Sequence, residues 1–502
     1  MEENLNEIIN SEQEEKYDPQ IWKLKRYQNA FLVFWGFAAV YALRVNLSVA
    51  IVQMVPPVKN STKVDYSTPN DPTYDWTPDQ QGVILGSFFY GYITTQVLGG
   101  YLADRFGAKI LLGVGIGCTA FLTIITRQMA DAGFAAMVAL RVLEGIGEGV
   151  TFPAAASFWG KWAPPNERAR LAGFSFSGAQ FGTIISMPLS GWLCQTVGWS
   201  AMFYIFGSIS LIWVVLWFWL AANSPEESKT IDAKREFIIS QIPPPKEDHS
   251  VPWKNIFCCL PFWGILLTHT CYNWTFYAFL TCLPKYLNNV HGFDISSAGI
   301  IGALPYICMF ICIVVQGNLS DRLLEKKIMS RTAVRRVFNS IGTILPAIVL
   351  PFITVLGCNK DGVVALICIS VGFCGFVFSG YNTPNHGDLS PRFSGALFGI
   401  TNTVGTIPVN GFLAPQVLLL ITGDNSSSVD AWSPVWYISM AINLFGSICY
   451  MLTASGNLQP WDKGPMLLKD QWEFEKKQFC FKEVEDDREE ILDSGEENPY
   501  FE

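Results

Sequence analysis

Four ionisable residues stand where hydrocarbon is the expected solvent. Arg44 lies in Tyr41-Ala-Leu-Arg44-Val-Asn46-Leu-Ser48, and Arg141, Glu144 and Glu148 lie in Arg141-Val-Leu-Glu144-Gly-Ile-Gly-Glu148-Gly, each within a long apolar run. A charge at the bilayer centre costs about 2.5–3.5 kcal/mol on insertion scales, so such residues face a bundle interior or a watery cavity and mark solute or proton routes. Spacing of i, i+3, i+7 puts Tyr41, Arg44 and Ser48 on one helix face, and Arg141, Glu144 and Glu148 on one face of another. Gly145, Gly147 and Gly149 leave room there for a close neighbour.

A guanidinium at that depth needs an anion, and its planar fork suits a carboxylate or phosphate. A substrate anion is the expected partner of Arg44, with Glu144 or Glu148 as the internal alternative. A carboxyl in low dielectric holds its proton more tightly, and a neighbouring arginine opposes this, so such a group can load and release a proton near neutral pH. Two carboxylates on one helix against a single arginine leave one acid in excess. Glu144 and Glu148 are therefore expected to carry coupling protons, with Arg141 tuning them; a static Arg–Glu brace is the alternative. Asn273 and Tyr277, in Tyr272-Asn273-Trp274-Thr275-Phe-Tyr277, and Tyr90, in Gly86-Ser-Phe-Phe-Tyr90-Gly-Tyr92, could line a pocket opposite or beside Arg44 or make ordinary interhelical bonds. Asn385-His386-Gly-Asp388 reads as structural rather than as a proton relay, and Gly399 to Pro408 reads as a kinked helix.

The elements that hold these residues follow from composition. Half of the 502 residues are hydrophobic, only 15% are charged, and the mean hydropathy is +0.27, which excludes a disordered chain or a small disulfide scaffold. A bilayer core needs roughly 20 apolar residues per helix. Twelve stretches qualify, near 28–54, 79–101, 110–127, 134–158, 168–192, 200–222, 256–287, 297–317, 334–356, 361–384, 394–421 and 433–455, numbered here as spans 1 to 12. Backbone groups in hydrocarbon must be satisfied within the segment, so the fold class is all-α membrane protein. The acidic N-terminus shows no cleavable leader.

Lys and Arg cluster in alternate loops, as at Lys23, Lys25, Arg26, then Arg105, Lys109, then Lys161, Arg168, Arg170, which places both termini in the cytosol. The sequons at Asn60 and Asn425 fall in outer loops and are expected glycosylation sites. The organisation expected is a cytosolic tail (1–27), a six-helix bundle (28–222), a cytosolic loop (223–255), a second six-helix bundle (256–455) and an acidic cytosolic tail (456–502). Net charge is −9 and sits largely in the tails; Asp487-Arg-Glu-Glu-Ile491-Leu492 resembles an acidic dileucine signal for sorting adaptors, against the plainer reading of a solvated tail. No basic stripe suggests nucleic acid. The thirteen cysteines fall mostly within spans, and neither their spacing nor the four histidines suggests a metal site or a catalytic set. The chain reads as a non-enzyme without cofactor, and as a monomer in contact with lipid.

The two halves share a loop motif. Gly100-Tyr-Leu-Ala-Asp104-Arg105 follows span 2, and Gly317-Asn-Leu-Ser-Asp321-Arg322 follows span 8. The glycines permit close helix approach, and Asp and Arg are expected to form a charged latch. This repeat resembles the loop signature of the major facilitator superfamily, which implies two six-helix bundles, a central cavity and alternating access. Arg44-Val-Asn-Leu-Ser-Val, Gly86-Ser-Phe-Phe-Tyr-Gly-Tyr, Glu144-Gly-Ile-Gly-Glu148-Gly-Val-Thr-Phe-Pro153, Trp162-Ala-Pro-Pro-Asn-Glu-Arg168, Asn273-Trp-Thr-Phe-Tyr277 and Gly399-Ile-Thr-Asn402-Thr resemble the anion/cation symporter family within it. The likeness covers residues 25–461. Leu85, Glu144 and Asn273 match its sialin-like branch rather than its vesicular glutamate branch, whereas Ala454 to Trp461 looks more like the latter. The chain departs from both at Ala156, where a histidine is usual, and lacks the usual glycine after Pro408. The resemblance implies that Arg44 contacts an organic anion and that Glu144 and Glu148 couple its transport to H+, with Na+ or Cl− as alternative ions. A sodium-dependent phosphate cotransporter or a voltage-driven vesicular carrier is the nearest rival; a sensor or anion channel on the same fold is the rival from another class.

Overall fold

The computed structural model describes residues 25–55, 71–164, 167–228, 251–291, 295–357, 359–406 and 428–462. The tails with the dileucine motif, most of the central loop, Asn60, Asn425 and the kink expected at Pro408 lie outside these residues.

Twelve helical passes run through the described chain. The first bundle holds span 1 (Lys25–Met54), span 2 (Pro78–Phe106), span 3 (Ala108–Ile124, then Thr126–Ala132), span 4 (Phe134–Gly149, then Thr151–Trp162), span 5 (Arg168–Thr196) and span 6 (Trp199–Leu220). The second holds span 7 (Leu260–His291), span 8 (Ile295–Glu325), span 9 (Arg331–Leu356), span 10 (Lys360–Cys374 with a tight turn at Gly375–Phe378), span 11 (Ser394–Thr406) and span 12 (Val429–Thr453). Short helices Trp253–Phe257 and Thr383–Leu389 precede spans 7 and 11.

Length and apolarity alone would find spans 1, 6, 8, 9, 10 and 12, with span 3 as a seventh bent by 52°. Spans 4 and 11 are too short for that test, as helices of 16 and 12 residues and of 13 residues, while spans 2, 5 and 7 are long enough but bury polar groups such as Gln96, Gln180 and Asn273. Those are the helices that face the middle of the molecule.

Local signals start and stop the helices. Thr77 caps span 2, accepting from Gln80 N–H at 3.3 Å while the Gln80 side chain accepts from Thr77 N–H at 3.0 Å, and Pro78 fills the first helical position. Gly107, at φ +103°, makes the turn into span 3 that a side chain would strain. Pro153 cannot donate to the helical ladder, and span 4 breaks at Val150, two residues beyond Glu148.

The packing repeats. Span 1 packs on 5, 2 on 4 and 3 on 6; six spans later, 7 packs on 11, 8 on 10 and 9 on 12. Lipid is as apolar as leucine, so helices associate where small residues let backbones close. A Cβ on Gly91 of span 2 would strike the carbonyl of Val142, and one on Gly145 of span 4 that of Phe88. This draws Phe88 and Tyr92 against the charged stretch of span 4. The bundles meet through spans 2 and 11 and spans 5 and 8, which correspond across the repeat, and also through spans 4 and 11.

The end of the first bundle away from the repeated motif is braced at Asp71. Its carboxylate accepts from Arg127 of span 3 (2.5 Å) and from both the backbone N–H (2.9 Å) and hydroxyl (2.6 Å) of Ser200 at the start of span 6. Tyr74 donates to Asp131 at 2.6 Å; burial and this bond push its phenol above the usual range.

Candidate solute chamber and inter-bundle seam

Between the bundles lies a chamber. Spans 1, 2, 4 and 5 line it with Tyr41, Tyr92, Phe152 and Gln180, while spans 7 and 11 and the turn after span 10 line it with His269, Asn273, Tyr277, Tyr381, Asn382 and Asn402. Among the described lining residues none carries a charge. The charge stands against one wall. Arg44, about 28 Å along span 1 from its start at 1.5 Å per residue, lies 4.7 Å from the Tyr41 ring centroid and 4.9 Å from that of Tyr92. Both rings line the chamber, and each contributes cation–π attraction to the guanidinium.

Arg44 has an internal anion. Its Nε donates to Glu148 Oε1 at 2.6 Å, and its Nη2 also pairs with that oxygen. Glu148 is fully buried, and its Oε2 has no partner among the described residues. One turn away Arg141 Nη1 donates to Glu144 Oε2 at 2.5 Å, and Thr123 donates to Glu144 Oε1 at 3.3 Å. The Phe88 ring lies between the two ion pairs, 5.2 Å from Arg44 and 5.0 Å from Arg141. The expected excess of one acid is thus corrected: counting span 4 alone omitted Arg44, and two carboxylates face two arginines. In this conformation the anion against Arg44 is Glu148, the internal partner of the two alternatives.

Asn273, Tyr277 and Tyr41 stand in the chamber wall. Tyr90 does not: it is 52% exposed on the outer side of span 2. Two residues along a helix turn the side chain by about 200°, and Tyr92 takes the inward place. Sequence reading also passed over His269, although His269, Asn273 and Tyr277 share the i, i+4, i+8 spacing of one face. It passed over the bonds from Asn402 to Gln96 (2.5 Å) and Tyr92 (3.3 Å), which join spans 11 and 2 at chamber level.

Beyond these bonds the seam closes at the face carrying the repeated motif. Gly100 meets the backbone of Gly395 so closely that any Cβ would collide. Asp104 accepts from Ala396 N–H at 2.9 Å, capping span 11, and Asp321 accepts from Arg170 N–H at 2.7 Å, capping span 5. The expected Asp–Arg latch is therefore corrected. Arg105 donates to Tyr101 at 3.0 Å, Arg322 is exposed, and each aspartate binds a helix N-terminus of the opposite bundle, where orphan N–H groups and the helix dipole attract an anion. Asp388, following span 10, bridges Arg168 of the first bundle (2.9 Å) and Arg335 of the second (2.7 Å). Ser394 donates to the carbonyl of Ala156 at 3.0 Å, so Ala156 belongs to this seam and not to the chamber wall.

The profile of the Major Facilitator Superfamily matches residues 29–415. The chain belongs to this superfamily. The transporter is 44% identical to sialin of Homo sapiens over 454 residues, 87% of this chain and 90% of the relative. It is 37% identical to vesicular glutamate transporter 2 of Bos taurus over 448 residues, 87% of this chain and 75% of the relative. It is a sialin-like member of the anion/cation symporter group. The solved structure of the proton:xylose symporter XylE bound to 6-bromo-6-deoxy-D-glucose superposes with a TM-score of 0.62 at 12% identity, covering 86% of this chain and 97% of that one, which shows the shared fold. The protein is a membrane-spanning transporter and not an enzyme.

Proposed function

We propose that this transporter carries small organic anions by proton-coupled symport, with acidic sugars of the sialic-acid kind or acidic amino acids as solutes. The relatives named sialin and vesicular glutamate transporter support that solute class and a lysosomal or vesicular membrane. The closed seam is taken as the cytosolic face, so the chamber loads from the opposite side.

The observation that carries the reading is the Arg44–Glu148 pair beside the chamber wall. One guanidinium cannot satisfy two buried anions, and an unpaired buried charge costs several kcal/mol. A solute carboxylate that takes Arg44 must displace Glu148, which then needs a proton. Oε2, free of partners among the described residues, is the oxygen placed to receive it. Solute and proton therefore bind together and leave together, in a ratio of one to one at this site. Arg141 and Glu144 neutralise each other next to it and hold the local charge at zero. With the site neutral, the bundles can rock and open the seam.

Glu148→Gln tests this in proteoliposomes. Uptake driven by a proton gradient should collapse, while exchange of labelled for unlabelled anion survives. Undiminished gradient-driven uptake would overturn the proton assignment. Replacing external sodium with choline separates a sodium-coupled carrier, and clamping the membrane potential at fixed pH separates a voltage-driven one.

A further inference from the structure

The wall of the chamber opposite Arg44 holds a hydrogen-bond chain with a fixed direction. His386 Nδ1 lies 2.9 Å from the carbonyl of Asn382, His386 Nε2 lies 2.8 Å from the hydroxyl of Thr401, and that hydroxyl lies 3.2 Å from His269 Nδ1. A carbonyl only accepts, so His386 Nδ1 carries a proton. Both imidazoles are buried, and among the described residues neither touches a carboxylate. His386 packs on Phe398 and His269 on Tyr381 and Phe398, while Asp388 is taken by Arg168 and Arg335. Both rings are therefore neutral, with one N–H each.

The rest follows by elimination. His386 Nε2 is bare and accepts the Thr401 proton, whose alternative acceptor, the Phe398 carbonyl, is farther away at 3.2 Å. Thr401 has no second proton, so it accepts from His269 Nδ1–H. His269 Nε2 is then bare. Among the described residues it has no protein partner, yet it is not one of the sealed polar atoms, and His269 lines the chamber. A neutral nitrogen acceptor is left at the chamber wall.

We propose that His269 is a specificity-determining residue: locked as an acceptor by Thr401, His386 and Asn382, it receives a hydrogen bond from a hydroxyl group of the bound anion. This rests on the reading that the chamber binds an organic anion at Arg44. The wall around His269 offers Asn273, Tyr277, Tyr381 and Asn382 and no charge among the described lining residues. An ammonium group would find no carboxylate there, and a second carboxylate would find no cation. A hydroxyl finds an acceptor held in place. Thr401 and His386 act as positioning residues, fixing the tautomer without touching the solute.

The test measures binding to the purified full-length protein by tryptophan fluorescence, with D-glucuronate and with cyclohexanecarboxylate, an acid of similar ring size without hydroxyls. The wild-type protein should prefer glucuronate by about tenfold or more, the scale set by leaving one buried acceptor unpaired against the analogue. His269→Phe should erase the preference while keeping its melting temperature in detergent, which shows that the variant is folded. His269→Gln, which keeps an acceptor, should retain part of it. Thr401→Val, which cuts the chain away from the solute, should reduce the preference by about threefold, the worth of one hydrogen bond of under 1 kcal/mol. A wild-type protein that binds neither acid or does not discriminate, or a preference that survives His269→Phe or Thr401→Val unchanged, overturns the proposal. The Glu148→Gln uptake assay is read separately: lost preference with intact coupling sinks only this subsite, and lost coupling with intact preference sinks only the proton assignment.

Discussion

Asp104 and Asp321 perform one task in opposite directions: each caps a helix of the bundle to which it does not belong, at 2.9 and 2.7 Å. The repeated motif thus joins the halves through backbone amides. Asp104→Ala should free the N-terminus of span 11, and Asp321→Ala that of span 5. A lost cap of about 1 kcal/mol corresponds to roughly fivefold faster amide exchange. Hydrogen-exchange mass spectrometry should show the rise at 394–400 in the first variant and at 168–174 in the second. Equal exchange in both would show that the caps do not hold the seam.

Arg141 and Glu144 form a buried pair, and removing one member strands the other. Arg141→Gln should lower stability by about 3–5 kcal/mol. The double variant Arg141→Gln, Glu144→Gln should recover most of that loss, because no charge is left behind. Thermal melting in detergent compares the three proteins. A double variant as unstable as the single one would mean that the pair matters for its shape rather than its charge.

Asp388 serves two arginines, so its loss should outweigh the loss of either partner. Asp388→Asn leaves Arg168 and Arg335 buried without their shared carboxylate, whereas Arg168→Gln leaves the Arg335 bond in place. The expected order of melting temperature is wild type, then Arg168→Gln, then Asp388→Asn. The reverse order of the two variants would refute the bridge.

Gly100→Val puts atoms where the backbone of Gly395 lies, whereas Gly86 has open space around an added Cβ. The first substitution should reduce solute uptake by more than about tenfold with normal membrane insertion, by forcing off-contact a close packing that tolerates no extra methyl. Gly86→Ala, on the same helix, should be silent. Equal uptake by both variants would argue against a tight seam.

Tyr92→Phe should alter the apparent KM for the transported anion, and Tyr90→Phe should not. Saturation kinetics in proteoliposomes distinguish them.

Much of this was legible in the sequence. The twelve passes, the two-fold repeat and the shared face of Arg141, Glu144 and Glu148 follow from apolar runs and helical spacing. Which helix faces which does not. Arg44 meets Glu148 across spans far apart in the chain, and rotation about each axis is set by packing, at glycines such as Gly91 and Gly145. The outward place of Tyr90 follows from spacing: Ile84, Phe88, Tyr92 and Gln96 are buried at steps of four, and Tyr90 falls off that line. His269 was likewise on a visible stripe with Asn273 and Tyr277. The Asp388 bridge was not visible, because the seven-residue helix Thr383–Leu389 is too short to carry a period from which a distant partner could be inferred.

Asp71 clamps the strap between the first two helices onto the third and the sixth. That rim cannot splay one rod at a time. A rocking motion then carries these helices together as one lever, tied at Asp71 outside the chamber wall.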